Sequence, residues 1–141
     1  MPAQFAAERQ RAMAMRNARK ARFLVAESVM LEKAKDFAID VVKLCRSINV
    51  DRKEYVLTNQ LTKSGTSIGA NIHESKYAQS NADFISKMQI ALKECYESEY
   101  WLELLFRTGF ISDGTYKHMQ NTCGSIRRML ISSIKTAKSK G

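Results

Sequence analysis

Apolar residues recur at steps of three and four along most of the chain from Met30 onward. Met30, Ala34, Phe37, Val41, Leu44 and Ile48 form the first series, and Ala38, Val42 and Cys45 widen it. Side chains at such steps share one face of an α-helix, so the pattern predicts a helix over about 28–49. A polar turn follows, with Asp51 the expected cap of the next helix. Leu57, Leu61, Ile68 and Ile72 carry a second stripe over about 54–77. Ser80, with Asp83 three residues on, reads as a capped start. The third stripe is Phe84, Met88, Ala91, Cys95, Leu102 and Leu105, with Ser98 at one step. Gly109 is placed to end that helix in a left-handed cap. Ser112 or Asp113 opens the fourth, whose stripe is Tyr116, Met119, Cys123, Ile126, Leu130, Ile134 and Ala137.

The connections are short, so consecutive helices are expected to run antiparallel. The predicted fold is all-α: an up-down-up-down four-helix bundle over 28–141, preceded by a basic arm over 1–27, helical or disordered. In the arm, arginines and alanines alternate without a clean stripe. The middle of the second helix is unusual. Lys63 to Ser75 includes Gly65, Gly69 and several hydroxyl side chains, all poor intrinsic helix formers. Close approach of a neighbouring helix would compensate for them. The alternative is a three-helix bundle with this segment as a loop. The order of residues does not fit a phosphate-binding loop, because Lys63 precedes the glycines. The single proline, Pro2, leaves the body of the chain free of the strongest helix breaker.

Charge adds a second layer. The net charge is +9 over 141 residues. The arm holds Arg9, Arg11, Arg16, Arg19, Lys20 and Arg22 against two acids, and residues 28–109 balance to zero. Residues 110–141 hold six cations against Asp113. Positive charge confined to the two ends favours a polyanion such as RNA or DNA as partner. The candidate phosphate-binding residues are Arg127, Arg128, Lys135 and Lys138, with Lys63, Arg16, Arg19 and Lys20 second. No base-reading motif accompanies them.

The remaining chemistry is sparse. Cys45, Cys95 and Cys123 form no C-x-x-C pair and fall on apolar stripes, so buried small hydrophobes are expected. Reduced thiols and the lack of a membrane-length apolar run or signal core suit a cytoplasmic protein. His73 beside Glu74 cannot share one ligand easily, since adjacent helical residues diverge by about 100°. His118 is expected to be exposed. No nucleophile elbow or metal spacing is present, so neither catalysis nor a cofactor or metal is expected. Tyr96, Tyr100 and Trp101, among acids on the third helix, suggest an oligomer interface or extended core packing.

The string Gln60-Leu61, Lys63-Ser64-Gly65-Thr66-Ser67-Ile68-Gly69-Ala70-Asn71-Ile72-His73-Glu74-Ser75 is followed by Ser80, Asp83-Phe84-Ile85, Ile90-Ala91, Glu97 and Glu99. Together they resemble the bacterial family of 23S rRNA intervening-sequence proteins, which includes relatives that accompany reverse transcriptases in diversity-generating retroelements. The resemblance spans about Leu31 to Ile134. The family typically has Arg-Ser-Ala at Lys63-Ser64-Gly65 and Asn-Ile-Ala-Glu-Gly at Asn71 to Ser75. The resemblance implies a non-enzymatic four-helix bundle that assembles as a ring, typically a homopentamer, with a basic surface suited to RNA or DNA. Asn71 and Glu74 match its polar positions and are expected to be buried groups that fix helix register. A second reading is an oligomeric scaffold that binds a protein partner through the aromatic face of the third helix, with no nucleic-acid role.

Overall fold

The computed structural model describes residues 2–140, which form four helices and no strand. Helix α1 covers Pro2–Arg52, α2 Tyr55–Ser75, α3 Asn81–Arg107 and α4 Asp113–Lys140. The glycine-bearing segment is therefore helix, not loop. Helix α1 is continuous for 51 residues, a rod of about 76 Å. The helix that periodicity starts near Ser28 thus runs back to Pro2. The outer ends of the arm and bundle segments, Met1 and Gly141, lie outside the described residues.

Each helix backbone runs close beside two others: α1 beside α2 and α4, and α3 beside α2 and α4, while the α2 and α4 backbones stand diagonally apart. Their contacts fix the register. Val41 meets Gly65 and Ala34 meets Gly69 across α1 and α2. Ser98 donates to Ser64 Oγ at 2.9 Å across α3 and α2. Cys123 Sγ lies 3.5 Å from Cys95 O across α4 and α3. The shared interior takes Phe37, Leu61, Ile68, Met88, Leu102, Leu105, Ile126 and Leu130 out of water. Phe84 is half-buried against this core.

The glycines of α2 do what their size permits. A Cβ at Gly65 would lie 2.9 Å from Val41 Cγ2, so only glycine lets α1 come this close. The hydroxyls of this stretch are absorbed as well. Thr66 Oγ1 donates to Thr62 O at 2.7 Å and Ser67 Oγ to Lys63 O at 2.7 Å. The Ser64–Ser98 pair is a buried polar contact that crosses from α2 to α3. Asn71 does not play that part: it donates to Ser67 O of its own helix at 2.8 Å. Glu74 is exposed and pairs with Lys87 at 3.3 Å. Both side chains leave the helix on the flank of the apolar stripe, where local or solvent partners are nearer than the interior.

The helix ends follow local chemistry. Ser80 Oγ accepts from Asp83 N at 3.1 Å, as the sequence predicts, while Asp83 Oδ2 accepts from Gln79 N. Gly109 has φ of 84° and closes α3 in the left-handed region. Asp51 is not the cap of α2. It lies within α1, and Glu54 takes the role by accepting from Val56 N and Leu57 N at 2.9 and 3.0 Å.

Candidate nucleic-acid interface

The seam between α1 and α4 opens at one end of the molecule into a groove of about 1060 Å³. One wall is the arm, with Arg16, Arg19, Lys20, Arg22 and Phe23. The other is the last turns of α4, with Ser132, Ser133, Thr136, Ser139 and Lys140. The α4 residues 132, 136 and 139 step by four and three, so their short side chains form one hydroxyl-bearing strip. Charge on one wall and hydroxyls on the other match what binds phosphate and sugar oxygens. Lys140 Nζ sits 4.4 Å from the centre of the Phe23 ring, and that ring packs at 6.2 Å on Phe84 of α3. A shallower depression lined by Ser125, Arg128, Met129 and Ser132 extends the groove along the seam. Lys33 Nζ, from α1, reaches Ser125 Oγ at 3.4 Å.

The cations expected from sequence divide between this seam and other faces. Arg16, Arg19 and Lys20 line the groove, and Arg128 borders its extension. Lys135 is exposed and shares the side of α4 that carries Arg128, seven residues earlier. Arg127 is turned away. Its Nε donates to Glu99 Oε1 at 2.8 Å, and its guanidinium lies 5.7 Å from the centre of the Tyr96 ring. The Glu99 hydrogen bond holds its pKa above the ordinary arginine value. Lys138, eleven residues on, falls on that same side of α4. Lys63 sits on α2, whose backbone lies diagonally across from α4, and its charge acts on Glu94 of α3.

Next along α1 from the groove residue Ala26 comes Glu27, 6% exposed. Its Oε1 has no hydrogen-bond partner among the described residues. Burial raises its pKa above the usual carboxylate value, and the charges of Lys76 and Lys140 partly offset that rise. No periodicity argument singled this residue out, because the acid occupies a position that the stripe assigns to an apolar side chain.

Residues 26–132 match the sequence pattern of the 23S rRNA-intervening sequence protein family. The chain belongs to that family. A solved structure from Bacteroides thetaiotaomicron, a protein of unknown function from the S23 ribosomal protein family, is 47% identical. It covers 78% of this chain and 98% of its own, with a TM-score of 0.77. No curated protein matches. The family match begins at residue 26, so the arm side of the groove lies outside it, while Ser132 is its last residue on the α4 side.

The other candidate chemistry takes ordinary places. All three cysteines are buried and free. Burial raises the Cys45 pKa, while hydrogen bonding with Cys95 and burial raise that of Cys123, which disfavours the reactive thiolates. His118 is exposed, 3.5 Å from Asp40 Oδ2. Among the described residues no group of three or more His, Cys, Asp and Glu side chains could hold a metal. Among the described residues no helix is long and apolar enough to cross a membrane. Tyr96 and Tyr100 are half exposed, and Trp101 is half-buried with Nε1 donating to Glu97 Oε1 at 3.2 Å. Tyr100 and Trp101 meet edge to face at 5.0 Å.

Proposed function

We propose that this family member is a non-enzymatic accessory protein of the cytoplasm that binds nucleic acid electrostatically along the α1–α4 seam. The supporting observation is the groove itself, where cations of the arm meet the end of α4 across a strip of hydroxyls. The contact order between consecutive helices fits an antiparallel up-down-up-down bundle, which leaves both charged ends at one pole. The resemblance to ring-forming relatives adds a homo-oligomer, typically a pentamer, in which repeated grooves act by avidity. The family's description as an rRNA intervening-sequence protein favours RNA as the partner.

Five cations line the groove. If all contact phosphates, the affinity falls with salt at a log–log slope of about −3.5 on a single strand or −4.5 on a duplex. Fluorescence anisotropy with structured RNA and duplex DNA over a salt series measures it. Replacing Arg16, Arg19 and Lys20 by Gln should flatten the slope by about 2 units on a single strand and about 2.7 on a duplex. Absence of binding at low salt, or binding indifferent to salt, refutes the proposal. The aromatic face of α3, with Tyr96 and Tyr100 half exposed, then becomes the working surface of a protein scaffold.

A further inference from the structure

The face of α1 that builds the core does not stop where the core stops. Met30, Ala34, Phe37 and Val41 are buried on it. Upstream of Ala34, steps of four and three pass through Met30 and Glu27 to Phe23, Lys20, Arg16, Ala12, Arg9 and Phe5. At 3.6 residues per turn these positions stay within about 40° of one direction. The arm therefore repeats the core stripe, with cations and phenyl rings in place of aliphatic side chains. Phe5 is 58% exposed, and Pro2, Phe5, Glu8, Arg9 and Ala12 line a depression at the far end of the same face.

We propose that this face is a track for single-stranded RNA, a conclusion that rests on the nucleic-acid function above. Phe5 stacks on a base, Arg9 neutralises phosphates between it and the groove, and Arg16 and Lys20 do so at the groove wall. At the groove, Ser132, Thr136 and Ser139 of α4 face the strand with hydroxyls that hydrogen-bond ribose 2′-OH groups. Phe5 and Phe23 are eighteen residues apart, about 27 Å along the helix, enough for roughly eight stacked nucleotides at 3.4 Å each.

Charge selects this occupant. Before Glu27 the arm carries six cations and the single acid Glu8. Two such arms repel, so a second copy does not pair along this face. An apolar partner helix would strip water from Arg9, Arg16 and Lys20 without offering them counter-charges. A duplex keeps its bases stacked on one another and leaves Phe5 without a stacking partner, whereas a single strand presents unstacked bases to an aromatic ring.

The test is anisotropy of the full chain with a labelled oligo(U) of about 16 nucleotides, the matching DNA strand, and a duplex RNA. Phe5→Ala should weaken oligo(U) binding at least about fivefold and leave the salt slope and duplex binding unchanged. Phe5→Trp should restore affinity. Circular dichroism checks that the arm of each variant keeps its helix. Arg9→Gln with Arg16→Gln should flatten the slope. If Phe5→Ala binds oligo(U) like the wild type while the arginine variant loses affinity, the stacking track is wrong and charge-driven binding survives. DNA bound as tightly as RNA overturns the ribose contacts. If the wild type binds none of the probes at about 50 mM salt, the underlying nucleic-acid function fails as well.

Discussion

Alanine at Gly65 and alanine at Gly69 are the same chemical change in the same helix, yet opposite outcomes are expected. In a helix interior Gly→Ala gains about 1 kcal/mol of propensity. At Gly69 the new Cβ would meet Ala34 Cβ at 3.6 Å and its carbonyl oxygen at 3.7 Å, ordinary contact distances. Gly69→Ala should therefore stabilise the protein by about 1 kcal/mol. At Gly65 the Cβ would stand 2.9 and 3.0 Å from the two γ carbons of Val41. Val41 is fully buried, and a β-branched residue in a helix has one strongly preferred χ1, so it cannot swing aside. Overpacking of this kind costs about 1–3 kcal/mol. Set against the propensity gain, Gly65→Ala should destabilise by up to about 2 kcal/mol. Urea unfolding followed by far-UV circular dichroism measures both at unchanged m-value. Adding Val41→Ala should relieve the Gly65→Ala penalty and appear as a coupling energy in a double-mutant cycle. Equal stability of the two single variants would refute close helix approach as the reason for glycine at 65.

Glu27 gives a pH prediction. Burial raises its folded pKa above the ordinary glutamate value. The folded chain thus holds the proton to higher pH than the unfolded chain, and stability falls as pH rises from the unfolded pKa through the folded one. Glu27→Gln should remove that decline. It should raise stability at neutral pH by about 1 kcal/mol, with no gain near pH 4; parallel pH profiles for the two proteins would contradict it. For assembly, Tyr100→Ala should lower the mass seen by light scattering on a sizing column without lowering the thermal midpoint. An unchanged oligomer would exclude the aromatic face of α3 as the interface.

The buried stripes from Met30 to Ala137 were legible because packing enforces three–four spacing wherever a helix has a neighbour. Cys95, Cys123 and Ser98 needed no special treatment: each occupies a core step and each is fully buried. The Ser80 and Gly109 signals were equally local. The misses share one cause, which is that sequence spacing does not show which neighbour a polar side chain meets. Arg127 and Arg128 are consecutive and equally basic on paper. The helix turns the first onto Glu99 of α3 and leaves the second beside the open seam. Asn71 sits within a run of motif residues, but its nearest acceptor is a carbonyl one turn back in its own helix. Asp51 gave way to Glu54 because α1 runs through to Arg52 and moves the turn downstream.

The arm's stripe stayed hidden for a related reason: a hydrophobic pattern search discards positions held by arginine and lysine. Only the phase set by Met30, Ala34 and Phe37 shows that Phe5, Arg9, Arg16, Lys20 and Phe23 occupy the same face. The chemistry of that face changes at Glu27, where the flanking helices run out at Ser75 on α2 and Lys140 on α4. Past Phe23, which still packs on Phe84, apolar side chains would have nothing to pack on, and the face exchanges burial for hydration and positive charge. Helix formation there draws on alanine and arginine propensity and on propagation from the anchored part of α1, since an isolated segment of this length is marginal in water. Six cations on roughly 30 Å of exposed helix between Pro2 and Arg22 also repel one another. A polyanion lying along the arm relieves that repulsion, so binding and arm ordering must reinforce each other. This coupling follows directly from the stripe: the phase that buries Ala34 and Val41 also points Arg9 and Arg16 along the direction the other three helices leave vacant.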